Sequence, residues 1–75
     1  MATYRQNAQR QAQGFYEILA ELSESDANWF YASKHWASAA KFAPKHDRQV
    51  YCVAQMLRCQ TMYFAEMMAG KGQEQ

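Results

Sequence analysis

Helical periodicity runs almost unbroken from Thr3 to Ala69, interrupted only around Ser23 to Ala27 and at Pro44, the single proline of the chain. That continuity leaves no place for strands set off by clusters of turn residues, and it predicts three helices joined by two short breaks. At 75 residues the chain has interior for one domain only. The expected fold is all-α, a small three-helix up-down-up bundle or helical hairpin spanning 1–75 as a single domain.

Thr3 followed by Gln6 has the spacing of a capping box and starts the first helix, predicted over 3–22. Its apolar residues Tyr4, Ala8, Ala12, Phe15, Leu19 and Leu22 recur at spacings of three and four, with Ile18 beside them. Arg10, Gln13, Glu17 and Glu21 fall opposite, so the helix is expected to turn its apolar stripe inward and its polar residues to water. Gly14 lies on the outer side, where it implies local flexibility or a close contact. Ser23 and Asp26 offer a second cap, with Leu22 and Ala27 placed as a hydrophobic staple, and start a helix over 24–43 that Pro44 ends. Asp47 suits the positive start of a third helix over 46–69, with Gly70 and Gly72 as its C-cap and 70–75 as a frayed tail. Helices of these lengths, about 29, 30 and 34 Å, match well enough for a bundle.

Apolar residues make up 49% of the chain and aromatic residues 15%, which excludes disordered and low-complexity classes. They exceed what one face per helix can hold. On the second helix, Trp29, Ala32, Trp36, Ala39, Ala40 and Ala43 form a core stripe, while Tyr31, His35 and Phe42 gather on the far side. The third helix carries Val50, Val53, Ala54, Leu57, Thr61, Phe64 and Met68 along one line and Cys52, Met56, Cys59, Tyr63 and Met67 along another. Below roughly 80 residues one core seldom supplies more than ~3–5 kcal/mol, so such chains are commonly reinforced by disulfides, a metal or a partner. The expected protein interface is Tyr31, His35, Phe42, Cys52, Met56, Cys59, Tyr63 and Met67, and the simplest partner is a second copy in a homodimer.

The other reinforcements fit poorly. Cys52 and Cys59 lie about 10.5 Å apart along one helix, too far for an intrahelical disulfide, although in a dimer one could approach its symmetry mate. His35, His46, Cys52 and Cys59 lack the close pairs of a zinc site. No metal or other cofactor is expected. No glycine loop for phosphates is present, and no acid, base and nucleophile share a recognisable spacing, so the chain is read as no enzyme.

The formal net charge is +1, so no global field draws the protein to nucleic acid or anionic lipid. Locally, Glu17, Glu21, Glu24 and Asp26 form an acidic surface that could meet a basic target, steering its approach. Lys34, Lys41, Lys45 and Arg48 surround the second break, where a helix-turn-helix protein touches phosphates, and they carry the alternative reading of a small DNA-binding or transcription-modulating protein. Against it, the third helix offers only Arg48 and Gln49 as base readers. No run of about 18 apolar residues occurs, so no membrane partner is expected. Glutamines rather than an apolar segment follow Arg5 and Arg10, which points to a cytoplasmic protein with reduced thiols.

The aromatic and alanine pattern of the second helix before Pro44 resembles a fragment of a tetratricopeptide repeat, but the repeat's spacing is absent and three helices cannot form an array. The sequence thus reads as a non-catalytic protein-binding module, a homodimeric adaptor or inhibitor of a host protein. By analogy alone it is of the kind found among phage and plasmid accessory proteins.

Overall fold

A computed structural model describes residues 4–73. Three helices follow one another, α1 (Tyr4–Ser25), α2 (Trp29–Phe42) and α3 (His46–Gln73), with no strand among the described residues. The expected capping residue Thr3 and the last two residues of the expected tail lie outside the described residues.

The first break falls later than the caps at Ser23 and Asp26 imply, so α2 starts at Trp29 rather than near Glu24. Ser23 does not cap α2. Its carbonyl accepts from the Asn28 amide at 2.8 Å, and the Glu24 carbonyl accepts from Ala27 at 2.9 Å. These are the two bonds of a Schellman motif, which holds the end of α1 closed. The motif needs a left-handed residue, and Ala27 supplies it with a φ of 56°. Asn28 then caps α2 by accepting from the Tyr31 amide through Oδ1 at 3.4 Å. At the other end Ala43 turns extended before Pro44, as a residue preceding proline prefers. Helix α3 runs through Gly70 to Gln73 instead of stopping at a glycine cap, since neither glycine takes a positive φ. A Cβ at Gly14 would meet nothing within 4 Å, so Gly14 marks no close contact.

With 22, 14 and 28 residues the helices are unequal, and they overlap only in part. Tyr16 of α1 stacks on Phe42 at the end of α2 at 5.7 Å, so the first turns of α1 run on past the turn between α2 and α3. Trp29 at the start of α2 donates its indole N–H to Glu66 of α3 at 3.1 Å, so the last turns of α3 extend beyond α2. The result is a slender rod of 59 × 19 × 13 Å. Helix α2 packs along both neighbours, whereas the backbones of α1 and α3 barely approach each other.

The core is thin and made of small residues: Ala20 from α1, Ala32, Trp36, Ala39 and Ala40 from α2, and Cys52 and Cys59 from α3. Trp36 is the one large side chain among them. It meets Tyr51 edge-on at 5.9 Å, and its indole N–H donates to Glu24 Oε2 at 2.6 Å. Small residues let the helices draw close, and close helices leave no room between them for phenylalanine or leucine.

Candidate protein-binding surface

The close approach determines which faces turn inward, and for α1 it reverses the expected orientation. Gln13 and Glu17 are 8% exposed and Ala20 is fully buried, while Phe15, Ile18 and Leu22 are each 59% exposed. Three large residues of the apolar stripe expected in the core face water, with Ala12 and Leu19 half-buried, while Gln13 and Glu17, expected in water, lie inside and Arg10 and Glu21 stay exposed. Polar side chains can occupy that inner face because each has a partner. Glu17 accepts from Arg48 on both oxygens, through Nε at 3.1 Å and through a terminal nitrogen, and it also accepts from the Gln13 amide. The Cys52 thiol lies 3.9 Å from the same carboxylate. Seven residues on, Glu24 repeats the arrangement, accepting from Arg58 and from Trp36. Among the described residues no buried side-chain nitrogen or oxygen lacks a partner. These ladders tie α1 to α3 across the gap between their backbones.

The electrostatics follow from the same contacts. Burial alone would raise the Glu17 carboxyl, but the Arg48 and Gln13 donors and the Arg48 charge outweigh it and hold the group below its ordinary value. Glu24 is lowered in the same way, its burial outweighed by Arg58 and Trp36. The thiols move in the opposite direction. Burial, with the Glu24 charge added, pushes Cys59 up to about 11, and burial with Glu17 raises Cys52. Both are protonated at neutral pH and poor nucleophiles.

Helix α3 shows the second reversal. Cys52 and Cys59 are fully buried and Met56 packs against the core, although all three were expected at an interface. Neither thiol can therefore reach a symmetry mate without opening the bundle. Of the other expected interface residues, His35 and Phe42 are half-buried beside Tyr16 and Tyr63 is half-buried against Phe30 at 5.4 Å, leaving Tyr31 and Met67 exposed. The eight residues do not form one surface. What α3 exposes is the other line: Val50 at 52%, Val53 at 36%, Leu57 at 53%, Phe64 at 59% and Met68 at 70%.

Sequence reasoning missed that face because it treated the larger residues as core. Two signals in the sequence could have found it. The opposite side of α3 carries two cysteines, the size that suits the alanines of α2. Val50, Leu57 and Phe64 stand seven residues apart with Val53 and Met67 at the third positions following, the heptad of a helix that pairs with another helix. Gln60 is the one polar residue in that seam. The residues flanking the seam are Gln49, Ala54, Met56, Thr61, Tyr63 and Met68, none of them charged.

The expected charged surfaces are also divided. Glu17 and Glu24 are held in internal pairs, while Glu21 and Asp26 remain exposed. On the basic side, Lys34 lies over the Phe30 ring at 4.9 Å, Lys41 is 6.0 Å from the Phe42 ring, and Arg48 stacks on Tyr51 at 4.3 Å while pairing with Glu17. Lys45 is exposed at the turn. Among the described residues no helix is long and apolar enough to cross a membrane, and no three His, Cys, Asp or Glu side chains are grouped to hold a metal ion. No family model, curated protein or solved structure matches the chain.

Proposed function

We propose that this chain is a small, non-catalytic protein-binding module that works as a homodimer, its two copies joined along the open face of α3. The observation that carries this reading is the inverted distribution of side chains: α1 and α3 turn Phe15, Ile18, Leu22, Val50, Leu57 and Phe64 to the outside while Gln13 and Glu17 are enclosed. Large apolar side chains aligned on one helix face are costly in water, and a second helix is the element that covers them.

Three features favour a second copy on α3. The seam has coiled-coil spacing over about 26 Å, from Val50 to Met67. Uncharged flanks mean that pairing the helix with itself brings no like charges together. Gln60, flanked by apolar seam residues, would meet a polar partner in one register, its own counterpart. With α3 occupied in this way, the stripe of Phe15, Ile18 and Leu22 on α1 is left for another protein, as an adaptor or inhibitor requires.

Light scattering tests the dimer directly. The wild-type chain should give twice 8.7 kDa, and Leu57→Glu with Phe64→Glu should give a single chain of unchanged helicity. A wild-type monomer at the highest soluble concentration, or a dimer untouched by the double variant, would sink this reading.

A further inference from the structure

Where α1 runs past the turn between α2 and α3, a cleft of about 390 Å³ opens, lined by Arg10 and Gln13 of α1, Pro44 and Lys45 of the turn, and Arg48 of α3. Three of its five lining residues are cationic. The nearest enclosed acid is Glu17, and it is already committed, with Arg48 on both oxygens and Gln13 and Cys52 beside one of them. Arg10 and Lys45 have no carboxylate in ion-pair reach among the described residues. Asp47, in the first turn of α3, does not line the cleft.

Two cations without a carboxylate partner and a third shared one around a single concavity concentrate positive charge where an anion would be attracted. The donor types narrow the class of anion. Arg10 offers a planar fork suited to two oxygens at once, Lys45 a mobile point charge, and Arg48 keeps one terminal nitrogen that Glu17 does not use. Such a set fits a group with two or three oxygens on one atom.

We propose that this cleft binds an oxyanion, the phosphate or carboxylate group of a ligand, held by Arg10 and Lys45 with Arg48 at its edge. The site lies on other residues than the α3 seam and stands independently of dimerisation.

Titrating inorganic phosphate, and separately acetate, into isotope-labelled protein at constant ionic strength tests it. The backbone signals of Lys45 to Arg48 and the side-chain signal of Arg10 should shift saturably. Arg10→Gln or Lys45→Gln should each weaken binding about tenfold, the effect of losing one charge-assisted hydrogen bond. Both positions are exposed and outside the Glu17 pair, so the fold should survive, which circular dichroism verifies. Saturation by phosphate alone identifies a phosphoryl group, and saturation by both anions identifies a site that accepts carboxylates too. Shifts that never saturate, that spread over every basic residue, or that persist when Arg10 and Lys45 are both replaced by Gln overturn the proposal.

Discussion

Helix α2 lies between two neighbours, and α3 has only one alongside it for most of its length. Both carry apolar residues on more than one side, yet they end up differently. In α2 Ala32, Ala39, Ala40 and Trp36 are buried, and Phe42 at its end is half-buried against Tyr16. In α3 the cysteine side is buried and a full line of valine, leucine, phenylalanine and methionine is left in water. Apart from Trp36, the buried faces of these helices are made of small residues, so hydrophobicity alone does not select them. A helix that must approach closely presents its small residues, and its large ones are left for a partner that can be accommodated at greater distance.

Removing the one large core residue should break the contrast most severely. Trp36→Ala takes away the one bulky residue of the buried core together with the Glu24 hydrogen bond, and should cost about 3–5 kcal/mol. In a domain this small that approaches the whole stability, so urea or thermal melts should show a chain largely unfolded at room temperature. A well-folded variant would mean that the alanines and cysteines hold the bundle by themselves.

Glu17→Ala probes the enclosed polar face of α1. It strips Arg48 and Gln13 of their shared acceptor and should cost about 1–3 kcal/mol in a urea melt, less if Arg48, which is half-exposed, recovers its hydration. A neutral result would show that the ladder contributes nothing to holding α1 against α3.

Acid should act on the same contacts. Both Glu17 and Glu24 have folded values lowered from the ordinary 4.5. The stabilisation they confer is therefore complete above about pH 4.5 and is lost as pH falls through the lowered values. Melting temperature should hold steady from neutral pH down to that point and then decline, with Glu17→Gln reducing the decline. A melting temperature flat down to pH 2 would show that the pairs are energetically idle.

The smallest effect is expected on the open face of α3. For the isolated chain, Leu57→Ser should change stability by less than about 0.5 kcal/mol, because the side chain is already half in water. At concentrations where copies associate, the same change should lower stability clearly. A large loss at high dilution would mean that Leu57 is part of the monomer core.

Some of this architecture was legible in single stretches of sequence. Pro44 marked the second break because its ring constrains the residue before it, and Ala43 is extended as that rule requires. The first break was misplaced by several residues, since Ser23 and Asp26 look like caps but the chain closes α1 with a left-handed Ala27, a conformation that alanine does not advertise. Cys52 and Cys59 were excluded as an intrahelical disulfide and as zinc ligands, but their face was assigned to a partner, because a cysteine line looks weak beside a line of valine, leucine and phenylalanine.

By itself the sequence determined three helices, their main break at Pro44, and a surplus of apolar residues too large for one face of each helix. These are local properties of spacing and backbone restriction. Only the tertiary structure decided which faces meet. That choice depends on the mutual fit of three surfaces, on alanine against cysteine at close range and on Glu17 and Glu24 reaching Arg48 and Arg58 across a gap, and no helix read alone contains the distance to its neighbour.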